Sequence, residues 1–199
     1  MGRKAIDRER KQLSKKAEVW VKELFYKVQY EKLNKLTLDD LAALIQKSKS
    51  TIYTYFKTKD EIYQTMVAMV LNDIQEVVFE ELPNGSDLVV LYESILLKIS
   101  DAVEGISIHF LDEIQTNFPQ IWTEIKSITD KVLITFSLIY EEGMKTDVFT
   151  NFNITLLLAM DNAFIMSIMT DHERFKDENL SLKDIVSQYL QLRIKALTK

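Results

Sequence analysis

The chain reads as an all-α protein, and three observations carry that reading. Apolar residues recur at steps of three and four along most of its length. No stretch sustains the two-residue alternation of a half-buried strand. Only 4 Gly and 2 Pro interrupt 199 residues, so long helices are the natural outcome.

Residues 3–10 form a basic, apolar-poor arm that is expected to fray at its start. Leu13, Ala17, Trp20, Val21, Leu24, Phe25 and Val28 then share one face of a first helix, with Lys15, Lys16, Lys22 and Glu23 turned away. Thr37 followed by Asp40 marks the next helix start: the hydroxyl can cap, and Asp39 and Asp40 favour the positive end of the helix dipole. Leu38, Leu41, Ala42 and Ile45 are its inward face. Ser48 is placed to cap a short third helix that buries Ile52 and Phe56. Lys57 and Thr58 break that helix, and Thr58 can cap a fourth. From Lys59, the pattern Ile62, Met66, Met69, Val70, Ile74, Val77, Val78 predicts one long helix to about Leu82, stopped by the turn signal Pro83-Asn84-Gly85.

The rest of the chain repeats the helical pattern. Leu88, Leu91, Tyr92, Ile95, Leu96, Ile99 and Val103 form one face, and residues 106–116 a shorter helix. Pro119 suits the first turn of a helix running to about Glu142, with Trp122, Ile125, Ile128, Val132, Phe136 and Ile139 inward and Gly143 as its stop. Residues 153–170 are almost wholly apolar. Ser181 caps a last helix bearing Ile185, Tyr189, Leu192 and Ala196.

Composition excludes several classes. Hydrophobic residues at 47% and charged residues at 28% are ordinary for a globular protein and argue against disorder. With no Cys there are no disulfides, thiolate metal sites or cysteine nucleophile, which fits the reducing cytoplasm expected as its location. The N-terminus lacks a signal-peptide core. The most apolar run, residues 154–169, is short for a bilayer and carries Asp161 in its middle, so no membrane association is expected. There is no Gly-rich phosphate loop, Gly-x-Ser-x-Gly elbow or His-Glu-x-x-His, so neither an enzyme nor a cofactor is expected.

Charge is divided along the chain. Net charge is −5, yet residues 1–63 hold 15 Lys and Arg against 9 Asp and Glu, a net of +6. The remainder holds 10 against 21, a net of −11. A basic head on an acidic body is expected when one end meets phosphate and the other does not.

Residues 37–63, TLDDLAALIQKSKSTIYTYFKTKDEIY, carry the functional signal. Two short helices joined by a tight polar link, with a third beginning directly after, read as a helix-turn-helix. Ile52 and Phe56 anchor its second helix, which leaves Lys49, Ser50, Thr51, Tyr53 and Tyr55 facing outward beside the capping Ser48. These side chains suit phosphate and base-edge hydrogen bonds. Thr37 sets a hydroxyl and helix-start N–H groups where a phosphate can sit, and Lys59 does the same with a full charge. Asp39, Asp40, Asp60 and Glu61 are expected to point away from the duplex.

The string T-L-x-x-L-A … S-K-S-T-I-Y-x-Y-F-x-x-K-x-E-I-Y resembles the N-terminal signature of TetR-family (tetracycline-repressor-like) transcriptional regulators. The resemblance is close over residues 37–63 and loose over the first helix. It implies about nine helices per subunit. Residues 1–58 would be the DNA-binding domain, and residues 59–199 a ligand-binding and dimerisation domain whose last two long helices pair with a second copy. It further implies a repressor that binds a palindromic operator in double-stranded DNA and is released by an unidentified small-molecule effector. Thr51, Tyr53, Tyr55 and Lys59 match the motif positions that touch DNA. Where the family turn carries a small residue, Gly and an aliphatic, this chain has Ile45, Gln46 and Lys47. Gln46 in place of Gly implies strain, and Lys47 either shifts the turn or adds a phosphate contact. These departures leave an alternative: a protein–protein adaptor or co-activator that keeps the fold without operator binding.

In the body, helical bundles keep ligand sites between their helices. The candidates are the polar His109, Asp112, Asn117, Asp161 and Asn162 and the aromatic Tyr92, Phe110, Trp122, Phe136, Tyr140 and Phe164. Asp161 is the sharpest, because a carboxylate within an apolar helix is costly unless paired. It either orients or neutralises a ligand, such as a cation, or is structural, as a pair with a helix partner or an exposed position at the dimer edge; the structural reading is favoured. His109, Asp112 and Glu113 have metal-like spacing, but with 2 His in the chain the ordinary reading is favoured and no metal is expected.

Overall fold

The computed structural model describes residues 11–83, 85, 87–170 and 180–198. The basic arm at residues 3–10 and Asn84 of the expected turn lie outside the described residues. Among the described residues there are nine helices and no strand; the sole bridge is between Phe149 and Thr198. The helices are α1 (Lys15–Lys27), α2 (Leu38–Leu44), α3 (Lys49–Tyr55), α4 (Lys59–Gln75), α5 (Leu88–Ala102), α6 (Ile108–Asn117), α7 (Pro119–Lys145), α8 (Ile154–Thr170) and α9 (Leu182–Leu197).

Side-chain caps begin most of them. Ser14, Thr37, Ser48, Thr58, Asp87, Ser107 and Ser181 each accept from an N–H of the first turn, which satisfies donors the helix cannot. At α2 and α9 the cap is reciprocal, with Asp40 and Asp184 returning the bond to Thr37 and Ser181. The hydrogen bonds from Thr37 hold the Asp40 carboxyl below its ordinary range.

Three apolar clusters fill the interior. The first joins α1–α4, through Val21, Leu24, Leu41, Ile52 and Ile62, to Phe110 and Ile114 of α6 and Phe118 and Ile121 near the start of α7. This core crosses residue 58, so the helix-turn-helix is packed on the body. The second surrounds Tyr92, Ile95, Phe136, Ile139 and Tyr140. The third joins Leu111, Ile168, Leu182 and Ile185. Each fully buried aliphatic or aromatic side chain contributes about 1.5–3 kcal/mol.

Three expectations from the pattern are corrected. First, α4 ends at Gln75, not near Leu82. The N–H groups of Val77 and Val78 tighten onto Ile74 O and Gln75 O, and the Phe79 N–H donates to Thr135 Oγ1 of α7 at 2.9 Å. A tertiary bond thus takes the backbone that the apolar pattern assigned to helix. Second, Gly143 does not stop α7; it lies within its last turns, where the Phe149 ring packs against its Cα and leaves no room for a Cβ. Third, the inward stripe of α9 is Leu182, Ile185, Leu190, Arg193 and Leu197. Leu192 is 67% exposed and Ala196 is also exposed. A buried ion pair from Arg193 to Asp161 draws α9 into that rotation.

Candidate nucleic-acid interface and ligand cavity

The α2–α3 link is a tight turn through a left-handed residue. Gln46 has φ +52°, a region that favours glycine, and this is the strain its position implied. The Lys47 N–H donates to Ala42 O at 2.9 Å, and Lys27 of α1 donates from its ammonium to Leu44 O at 2.6 Å. The last turn of α2 is therefore held from two sides. Ile52 and Phe56 are buried as expected, and the Phe56 ring meets Trp20 edge-on at 5.8 Å. These anchors fix which side of α3 faces out.

The outward side holds Lys47, Ser48, Lys49 and Ser50, all exposed, with Thr51 and Tyr53 half-buried beside them. Ser48 Oγ lies 2.8 Å from the hydroxyls of both Ser50 and Thr51, so three hydroxyls cluster at the start of α3. The Lys49 ammonium lies 2.8 Å from Asp39 and 5.8 Å from the centre of the Tyr53 ring. Asp39 was expected to face away; it is instead drawn to this cation, and the Asp39 bond holds the Lys49 ammonium above its ordinary pKa.

Three expected contact residues have structural duties. The Thr37 N–H and hydroxyl both donate to Asp40 Oδ2, at 2.8 and 2.7 Å. The Tyr55 ring lies 6.1 Å from Trp20, and its hydroxyl is 3.3 Å from Ser14 Oγ, so it packs on α1. The Lys59 ammonium donates to Leu33 O, Asn34 O and Leu36 O at 3.1, 2.6 and 3.0 Å. That uses all three of its donors. The charge expected to meet phosphate ties down the loop between α1 and α2 instead. Spacing could not reveal this, because the three carbonyls lie 23 to 26 residues away.

In the body a cavity of about 170 Å³ lies between α4, α5, α6, α7, α8 and α9, with Phe25 of α1 at one wall. Of the expected ligand residues, Phe110, Phe136 and Asp161 line it, as does Phe164. Tyr92 and Tyr140 stand behind Asp161, bonded to it in sequence. The other five do not line it, and the expectation for them is corrected. Asn117 donates to Glu113 O and accepts from Asn34. His109 sets Nε2 3.2 Å from Glu31 O, and Trp122 packs against the first cluster. Asp112 and Asn162 are exposed on the outer faces of their helices. The pattern missed Val67, Val70, Leu71 and Ile74 of α4 as lining; the first three form a wall shared with the head's own core, and Ile74 packs with the second cluster.

Asp161 is 1% exposed and fully engaged. Its Oδ1 accepts from the Tyr189 hydroxyl at 2.6 Å and from Arg193 Nε at 2.8 Å, with Arg193 Nη2 in ion-pair contact at 2.7 Å. Its Oδ2 accepts from the Tyr140 hydroxyl at 2.8 Å. Tyr140 has then given its proton, so Tyr92 donates to it across 2.9 Å. Arg193 Nη2 also donates to Leu157 O at 2.9 Å. Burial, and after it the neighbouring Asp161 charge among other contacts, raises the hydroxyls of Tyr140 and Tyr189 far above the tyrosine range, so both remain donors. The geometry is that of a structural pair. Arg193 was not anticipated; its place one turn beyond Tyr189 on the same face was the signal available.

Among the described residues no group of three or more His, Cys, Asp or Glu could hold a metal ion, and no helix is long and apolar enough to cross a membrane.

No family model matches the sequence, and no curated protein matches it. Solved structures do match. The TetR-family regulator PfmR from Thermus thermophilus is 15% identical, with 90% of this chain and 99% of that chain covered and a TM-score of 0.64. The ketosteroid transcriptional regulator KstR2 of Mycobacterium tuberculosis is 15% identical, with coverage of 95% and 97% and a TM-score of 0.62. The regulator FadR from Bacillus subtilis, solved with stearoyl-CoA, is 16% identical, with coverage of 90% and 98% and a TM-score of 0.59. The chain therefore has the TetR-like fold over nearly its whole length.

Proposed function

We propose that the chain is a ligand-responsive, DNA-binding transcriptional regulator. Residues 1–58 serve as the DNA-binding part, and residues 59–199 bind the ligand and form the dimer. The observation that carries this reading is the start of α3: hydroxyls and cations exposed together, held by buried anchors, in a basic head on a TetR-like fold. Lys47, Ser48, Lys49, Ser50, Thr51 and Tyr53 meet the duplex, while Thr37 caps α2 through Asp40. Tyr55 and Lys59 support them from behind.

Two copies pair through α8 and α9. Leu156 and Met160 on α8 and Leu192 on α9 are 60%, 51% and 67% exposed, an apolar face that a second copy would cover. Pairing sets two α3 helices into successive major grooves roughly 34–36 Å apart, on a palindromic operator. Ligand in the cavity bears on α4, which also packs under the head, and shifts the dimer toward a state that no longer fits. To do so it must bind the two states unequally. The acyl-CoA held by the FadR structure supports a ligand-binding body for this fold. Release by ligand makes the protein a repressor.

The test is a mobility-shift titration of the full chain against DNA flanking its own gene, at several salt concentrations. A shift that steepens as salt falls supports the reading. No shift even at low salt, with a stable protein complex in its place, overturns it in favour of the adaptor.

A further inference from the structure

The cavity has a definite chemistry. Its described walls are aliphatic and aromatic side chains apart from Thr129, Asp161, Tyr189 and the Met169 thioether, which faces the Thr129 hydroxyl. Each of the first three is already satisfied. The Thr129 hydroxyl donates to Ile125 O at 3.0 Å, Tyr189 donates to Asp161, and the Asp161 charge is cancelled by Arg193. Among the described residues, no polar side-chain atom in the wall awaits a partner. An ionised ligand would lose its hydration there and meet no counter-charge, which is strongly unfavourable. A neutral apolar molecule loses nothing of that kind.

Size and shape narrow the class further. An apolar cavity of about 150 Å³ lined by Leu, Ile and Phe stays dry and takes benzene. This one is about 170 Å³ with walls of the same kind. Phe110 and Phe136 are buried at its wall, and Phe164 stacks on Tyr189 at 3.6 Å and 9°. Aromatic faces and edges of this sort suit offset or edge-on contact with another ring.

We propose that the cavity takes one uncharged monocyclic aromatic hydrocarbon, a benzene ring with one or two small alkyl groups. This rests on the reading of the body as a ligand-binding domain, and it excludes carboxylates and amines of equal size. Asp161 does not recruit the ligand; it closes the polar end of the cavity so that the remainder is apolar.

The experiment uses the full chain and three probes of one shape: toluene, benzoate and benzylamine. Thermal unfolding by circular dichroism and direct titration calorimetry are the readouts. Toluene is expected to raise the unfolding temperature saturably and to bind at least about tenfold more tightly than either ion. Val132→Phe and Val186→Phe, which fill the cavity from α7 and α9, are each expected to abolish that shift while retaining helical signal. Equal or tighter binding of benzoate or benzylamine, no binding of toluene, or unchanged binding to a folded filled variant would each overturn the proposal. The probe comparison on the parent protein stands even if a filled variant fails to fold. Toluene binding without any DNA shift would sink the regulatory reading and leave the cavity chemistry intact.

Discussion

Replacing Asp161 with leucine removes the acceptor of three hydrogen bonds at once, one each from Arg193, Tyr140 and Tyr189, together with the ion-pair contact to Arg193 Nη2. Arg193 is 6% exposed and keeps just the Leu157 carbonyl among these partners, so a cation is left buried without its counter-charge. Breaking a buried pair from one side costs about 3–5 kcal/mol. The Tyr189 hydroxyl loses its acceptor as well, while Tyr140 keeps the Tyr92 hydroxyl as a partner, so the loss stays within that range. For a chain of this size each kcal/mol moves the unfolding midpoint by about 2–4 °C, so the drop is roughly 6–20 °C. The companion variant Arg193→Met strands the carboxylate and loses a similar amount. The pair D161L/R193M removes both charges together and is expected to recover most of the loss, since apolar replacement of a buried ion pair is often neutral. Urea unfolding followed by circular dichroism completes the double-mutant cycle. A single-variant loss under about 1 kcal/mol, or a double variant as unstable as the two single losses added, would refute the argument that the pair holds α9 against α8.

Other positions offer sharper local tests. Gly143→Ala is expected to lose about 1–3 kcal/mol in urea unfolding, because its Cβ would overlap the Phe149 ring. Gln46→Gly should raise the unfolding free energy in urea by about 0.5 kcal/mol, since release of the left-handed strain slightly exceeds glycine's entropic cost; a lower value would contradict the strain. Lys47→Ala is expected to make the salt dependence of DNA binding shallower by about two units of slope for a dimer. Lys59→Met, by contrast, should leave that slope unchanged and reduce stability by about 1–3 kcal/mol, because its donors hold the loop at Leu33 to Leu36. The reverse pattern in these two variants would return Lys59 to the phosphate contacts.

Much of the fold was legible where neighbours in sequence are also neighbours in space. Thr37 with Asp40, Ser48, Thr58 and Ser181 all cap helices where the residues indicated, because a cap needs just the next three positions. Ile52 and Phe56 are buried as helical spacing required. The end of α4, the middle of α7 and the rotation of α9 were misread for a shared reason. Each is decided by a partner outside the three- and four-residue helical steps: Thr135 for Phe79 and Asp161 for Arg193, far along the chain, and Phe149 for Gly143, where the chain folds back past the end of α7. The contact residues divided in the same way. Lys47, Lys49 and Ser50 are exposed as their position suggested, while Lys59 and Tyr55 were claimed by the loop before α2 and by α1.

By itself the sequence determined the helical class, the helix starts, the basic head on an acidic body and the motif that resembles a regulator's recognition helix. All of these depend on composition or on steps of three and four residues, which a linear reading measures directly. Only the tertiary structure decided that Asp161 is neutralised, that the cavity beside it is apolar and about 170 Å³, and that the Lys59 ammonium is spent on carbonyls. Those outcomes turn on which distant groups fill a donor, cancel a charge or leave a space, and that is settled by packing in three dimensions.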